Sequence, residues 1–156
     1  IVPSFNPGAK SYFARLKEGK MDDYVIKRLS KIPESKKAVI SFINWTDYET
    51  ILKNPYDDYL PCIVSIQFRL LEQKNKYEMT TIFNARSIAG FQKSLGNFVS
   101  IAMLSHKIEN ELNKNLPKKV TCGAIDGLIT DAHIYHECFA EVKKMTTDYH
   151  IENNQI

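Results

Sequence analysis

The chain lacks most of the signatures that would assign a chemistry at sight. It has no Gly-rich phosphate loop, no Gly-x-Ser-x-Gly elbow and no His-Glu-x-x-His pair. Walker-type nucleotide cradles, serine hydrolase chemistry on an elbow and zincin-type proteolysis are therefore set aside. Its three cysteines, Cys62, Cys122 and Cys138, form no Cys-x-x-Cys, and no His/Cys spacing typical of zinc occurs. No metal site is expected on that basis. An odd cysteine count without a signal peptide points to free thiols in a reducing compartment, so a cytoplasmic location is expected. No apolar run approaches the roughly 18 residues of a membrane span. A dense basic stripe is missing too: 21 Lys and Arg against 18 Asp and Glu leave a charge of +3. That balance suits a small anionic ligand better than duplex nucleic acid, and neither a nucleic acid nor a membrane is expected as partner.

What is present suffices for one domain over residues 1–156. At 44% hydrophobic content a chain of this length can bury a substantial core. There is no internal repeat and no low-complexity tract. The opening Ile1-Val2-Pro3, without Met, is what a fragment, a processed product or part of a longer chain would give. Residues 1–11 are turn-rich and read as an arm, and residues 153–156 as a frayed tail. Met21 to Ile32 reads as a helix, acidic at its front and basic at its rear, with Tyr24, Ile26, Leu29 and Ile32 apolar and Pro33 stopping it. Ala38 to Ile43 reads as a buried strand, and Asp47 to Leu52 as a short helical or turn segment closed by Asn54-Pro55.

Cys62 to Leu71 reads as a long strand with Val64, Ile66, Phe68 and Leu70 on one face and Ser65, Gln67 and Arg69 on the other. Lys74-Asn75-Lys76 has a hairpin's composition, and Tyr77 to Arg86 is the return strand, with Thr80, Ile82, Asn84 and Arg86 sharing a face. Phe91, Leu95, Phe98, Ile101, Ser105, Ile108 and Leu112 recur at helical spacing and predict a core-facing helix of roughly six turns. Val120 to Thr130 reads as extended around Gly123 and a turn at Asp126-Gly127. Ala132 to Lys144 reads as a last helix with Asp131 as its N-cap.

The hairpin carries the first functional argument, because it returns Arg86 beside Cys62. A buried cysteine is ordinarily inert packing; a reactive one needs a cationic neighbour, which Arg86 supplies. Cys122 and Cys138 have no such partner and read as packing residues. Arg86 is either a strand-end surface charge or, with the Ser87 hydroxyl, a clamp for phosphate. Lys36 and Lys37 form a second basic cluster in a turn, solvated or phosphate-binding. Asn97 falls among apolar helix positions, where its amide either satisfies backbone or reads a base edge. His133 and Tyr135 are either parts of a capped helix or donors to a sugar hydroxyl. His106, His136 and His150 read as helix-surface positions.

From Tyr24 to Tyr135 these landmarks resemble the thymidylate synthase family. Pro33-Glu34-Ser35-Lys36-Lys37 with Ser41 is similar to the family's Pro-x-Ser-Arg-Arg segment, with lysines for arginines. Asn44 and Asp47 follow it as they do there. Pro61-Cys62 matches the nucleophile step, Gln67-Phe68 the strand behind it, and Arg86-Ser87 the phosphate site. Asn97 follows at the family's spacing, and Asp131-Ala132-His133-Ile134-Tyr135 resembles its Asp-x-His-x-Tyr. The resemblance implies a mixed-sheet α/β (α+β) fold that dimerises through its sheet. It also implies C5 one-carbon transfer on a pyrimidine nucleoside monophosphate, with 5,10-methylenetetrahydrofolate as cofactor. Cys62 would add to C6 of the base; Arg86 and Ser87 would hold phosphate, joined across the dimer by Lys36 and Lys37. Asn97, where related cytosine hydroxymethylases carry Asp, favours dUMP, while His133 and Tyr135 would hold the sugar. Gln67 and Asp131 complete the implied substrate-binding set.

The chain departs from the family at Ile63, where His is usual, at Ala85 for Gln, at Ala89 for Asp, and at Lys93-Ser94. The family's N-terminal arginine loop with its catalytic Glu, and its C-terminal lid, have no counterpart in these residues. Nucleotide binding is accordingly expected to exceed folate turnover. Two other readings keep the same pocket: hydrolysis of a nucleotide's glycosidic bond, and a non-catalytic module.

Overall fold

The computed structural model describes residues 10–56 and 60–148. Most of the expected arm, the tail at 153–156 and His150 lie outside the described residues. At the end of the expected arm the Ser11 side chain accepts from the Ala14 N–H and caps a helix, α1 (Tyr12–Glu18). No helix was expected there: seven residues are too few for a periodic pattern. The helix α2 (Met21–Lys31) follows as expected, although it buries Val25 and Leu29 while Tyr24 is exposed. The strand β1 (Val39–Ser41) and helix α3 (Trp45–Lys53) come next. Asn44 and Asp47 form a reciprocal capping box at the start of α3, which satisfies backbone donors that would otherwise be orphaned.

The hairpin is confirmed as β2 (Ile63–Glu72) and β3 (Lys76–Ala85), followed by a two-residue strand β4 (Ile88–Ala89). The long helix α4 spans Ser94–Asn115, so Phe91 precedes it. Only its later part faces the core, through Ile101, Ser105, Ile108 and Leu112, while Leu95 and Phe98 are exposed. A strand β5 (Lys119–Ile129) returns alongside β3. One sheet has the order β1-β2-β3-β5, with β1-β2 and β2-β3 antiparallel and β3-β5 parallel. The fold is thus α+β with a mixed sheet, and α4 provides the crossover that a parallel pair requires.

Two expectations are corrected here. Asp126-Gly127 is no turn; both residues lie inside β5, paired to Ile82 and Phe83. Gly127 is there because the Phe83 ring occupies its side-chain space: a Cβ would sit 2.1 Å from the ring's Cε1 and Cζ. The segment after Asp131 is no single helix either. Ala132–His133 is a strand, β6, parallel to β4, and the chain then passes through a 3-10 turn at His136–Cys138 into helix α5 (Phe139–Asp148). The Ile88 N–H donates to Asp131 O and the Gly90 N–H to His133 O, both at 2.8 Å. These long-range bonds override a helical pattern whose supposed cap makes none of a cap's contacts.

The core lies between the sheet and α2 with α4. Val25, Leu29, Phe68, Ile108, Leu112 and Val120 are fully buried, each contributing about 1.5–3 kcal/mol. Ser105 is tolerated there because its hydroxyl meets Thr81 Oγ1 at 2.9 Å and donates to Ile101 O, leaving no unsatisfied polar group. Deep under β1, Arg15 makes a bidentate pair with Asp47, both bonds 2.8 Å, and donates to Phe42 O. Burial alone would raise the Asp47 carboxyl, but the Arg15 bonds and the Asn44 N–H bring it below the ordinary carboxylate range. Buried Asp22 is held likewise by Lys107 and Lys17, which overcome its burial and lower it to about 2.

Candidate functional site

Strict alternation would carry Cys62 to the helix-covered face with Ile66, away from Arg86. A bulge prevents this. Between Ile63 and Ser65, β2 spends two residues against one step of β3, Ala85 to Asn84. Ile63 therefore shares the buried face with Ile66, and the residue before it swings the other way. The Tyr12 hydroxyl accepts from the Ile63 N–H at 2.8 Å and pins the bulge. Burial raises the Tyr12 phenol against that bond. Nothing in the sequence pattern singles out Tyr12 for this part.

Cys62 is half-buried, and the Ser87 hydroxyl is directed at its sulfur over 3.7 Å. The Arg86 N–H donates to Cys62 O at 2.9 Å. The guanidinium reaches further back along the same loop. Nε donates to Pro61 O at 3.1 Å and Nη2 to Leu60 O at 2.7 Å, while Nη1 lies 3.4 Å from Ser87 Oγ. Arg86 is exposed and Ser87 buried. Sulfur, hydroxyl and guanidinium thus form one connected group at the end of the sheet where β2 begins and β3 ends.

The β4–β6 pair brings a second set to that end. Ala89 lies opposite His133, so the stretch following Arg86-Ser87 is stitched to the His-x-Tyr stretch. His133 and Tyr135 meet edge to face, centroids 5.0 Å apart, and Lys93 Nζ lies 5.5 Å over the Tyr135 ring. His133 Nδ1 is buried and has no hydrogen bond; the exposed Asp131 carboxylate lies 3.5 Å away, outside hydrogen-bond geometry. A buried ring nitrogen left without a hydrogen bond is uncommon. Asn97 sits in the first turns of α4, half-buried, four residues before Ile101 on the same helix face.

The remaining expected residues stand elsewhere in the chain. Gln67 is on β2 beyond the bulge, and its amide donates to Lys36 O at 2.8 Å. Lys36 and Lys37 are exposed in the α2–β1 turn, and Lys37 O accepts from Tyr24. Val39 is in register with Gln67 and Ser41 with Ser65, so the lysines lie at the far end of β1. That is roughly 15–20 Å along the strand from Cys62.

The other two thiols are chemically unlike candidates for attack. Burial, then Glu109, pushes Cys122 up to about 12. Cys138 is also raised, first by burial and then by Glu137 and Glu141. A cleft of about 520 Å³ between α2 and α4 is lined by Asp23, Lys27, Lys31 and Lys107. It faces the late turns of α4, far along the helix from Asn97, and holds no thiol.

Among the described residues no helix is long and apolar enough to cross a membrane. A family model described as thymidylate synthase matches residues 9–155. No curated protein matches the chain.

Proposed function

The chain belongs to the thymidylate synthase family, whose kind of function is one-carbon transfer to C5 of a pyrimidine nucleotide, and on that premise we propose that this single domain acts on dUMP through Cys62. The observation that carries the reading is the Cys62–Ser87–Arg86 group, with His133 and Tyr135 drawn to the same end of the sheet by the β4–β6 pair.

In this reading the Cys62 sulfur adds to C6 of the uracil ring. The S–C6 bond forms, the C5–C6 π electrons move toward the C4 oxygen, and C5 becomes nucleophilic. Asn97 faces the base edge, where its amide can donate to O4 and accept from N3–H. The Arg86 fork and Ser87 hydroxyl hold the phosphate, in competition with the Leu60 and Pro61 carbonyls. His133 and Tyr135 meet the sugar hydroxyl, with the Asp131 carboxylate 3.5 Å from His133 Nδ1 as the nearby charge of the same segment. Methylenetetrahydrofolate would supply the one-carbon unit. The exposed apolar side chains of Phe91, Leu95 and Phe98 around the first turns of α4 suit its aromatic body. Lys36 and Lys37 lie too far from Cys62 to act in their own chain. Their assignment to phosphate rests on a dimer through the open sheet face, where Gln67 holds the lysine turn in place. A cytoplasmic location is part of the same reading.

Incubation with 5-fluoro-dUMP and methylenetetrahydrofolate, followed by intact-mass measurement, tests it. A covalent ternary adduct is expected in the native chain and none in Cys62→Ala. If the native chain binds the nucleotide and yields no adduct, C5 transfer through Cys62 is rejected.

A further inference from the structure

We propose that His106, Glu109 and Cys122 form a binding site for a zinc-type divalent transition metal that ties α4 to β5, independent of the nucleotide site. His106 and Glu109 are three residues apart on α4 and so share a helix face. Cys122 follows Val120 by two on β5, on the sheet face that α4 covers. One ligand atom from each residue lies within 4.8 Å of the others. His106 Nδ1 is 2.9 Å from Glu109 Oε2, and Cys122 on β5 stands close enough to that carboxylate to help hold it below the ordinary glutamate range against its burial.

Bonds of about 2.0–2.3 Å to a tetrahedral ion set its ligand atoms roughly 3.5 Å apart. The His106–Glu109 pair, at 2.9 Å, has to open by roughly half an ångström, and a separation at the 4.8 Å limit to close by about one; the exposed His106 side chain can turn by that much without moving the helix. The ligand types select the ion. A thiolate and an imidazole favour zinc or cobalt over magnesium or calcium, which prefer all-oxygen sets. Glu109 and Cys122 form a partly buried floor, and His106, 66% exposed at its side chain, leaves an entry path. Without metal, burial first and the neighbouring Glu109 carboxylate second both favour the protonated thiol. On binding, the Cys122 S–H bond breaks, the proton passes to solvent and the sulfur pair goes to the ion. His106 then carries its proton on Nε2 and gives the Nδ1 pair to the ion instead of to Glu109; one Glu109 oxygen binds the metal, and water completes the tetrahedron. Sequence spacing hid the site, since the third ligand is contributed by a different element.

The test is a cobalt(II) titration of the reduced, chelator-stripped chain, read by its thiolate-to-cobalt charge-transfer band. One equivalent per chain is expected, displaced by zinc. The band should vanish in Cys122→Ser, persist in Cys62→Ser and require at least about tenfold more cobalt in His106→Ala. Zinc should also raise the melting temperature of the native chain by roughly 5 °C and that of His106→Ala by clearly less. Because His106 is exposed, that variant folds whether or not Cys122→Ser does. No band in the native chain, a band surviving Cys122→Ser, or equal zinc stabilisation of His106→Ala overturns the proposal.

Discussion

The two ends of α4 and β5 differ in kind although they belong to the same two elements. Where α4 finishes and β5 begins, Ile108, Leu112 and Val120 are wholly excluded from water. The Asn113 amide clasps Val120 there, accepting from its N–H and donating to its carbonyl. Where α4 begins and β5 finishes, Leu95, Val99, Met103, Ile125 and Leu128 are between 41% and 74% exposed. Cys62, Arg86, Ser87, Asn97 and the His133–Tyr135 pair collect at this second end. One end is closed by its own side chains; the other presents apolar surface beside convergent polar groups, the pattern of a ligand or partner surface. Under the proposed function, stability and chemistry would fall to opposite ends of one helix–strand unit.

The comparison is sharpened first at the anchor beneath β1. Asp47→Ala leaves the Arg15 guanidinium buried without its carboxylate and is expected to cost about 3–5 kcal/mol. Urea denaturation would read this as the largest loss, so the open end rests on a firm base supplied by α1. Leu112→Ala at the closed end is expected to cost about 3 kcal/mol through lost burial and a residual cavity. Gly127→Ala pushes a methyl into the Phe83 ring and should cost roughly 1–3 kcal/mol by overpacking; a neutral result would mean the ring is free to swing aside.

Acid titration separates the two ends further. Asp22 ties α2 to α1 and to the later part of α4, through Lys17 and Lys107. Its folded-state value is depressed, so its contribution is fully present above the ordinary carboxylate value. It is lost as pH falls from about 4 toward about 2. Asp22→Asn should lower stability by about 1–2 kcal/mol at neutral pH, since both lysines keep access to water. It should also flatten the acid limb of a stability-versus-pH curve; an unchanged limb would assign that limb to other carboxylates. Smallest of all, Leu95→Ala should change stability by no more than about 0.5 kcal/mol. A cost matching that of Leu112→Ala would erase the distinction between the ends.

Much of the fold was legible where periodicity and pairing agree. The α2 helix, the β2–β3 hairpin and the body of α4 each carry a period that tertiary contacts reinforce. Legibility failed where a long-range contact decided the local state. Asp131 to Cys138 has a helix's composition, yet pairing with β4 holds Ala132–His133 extended. Gly127 looks like half of a turn because its true reason, the Phe83 ring, is more than forty residues distant. The hairpin made the meeting of Arg86 with Cys62 legible, but not which of the other candidate residues would join them. Cys62, Arg86 and Ser87 meet, whereas Gln67, Lys36 and Lys37 stand apart along β1 and β2.

The bulge at the start of β2 makes chain length, more than side-chain identity, the variable that decides which way the sulfur points. Deleting the residue between Ile63 and Ser65 would turn the thiol toward the helices while leaving every candidate site residue in the sequence. Alignments that score only substitutions would pass such a variant as intact. In tracing or engineering related chains, a single-residue gap at the start of this strand therefore says more about the orientation of the thiol than many replacements around it.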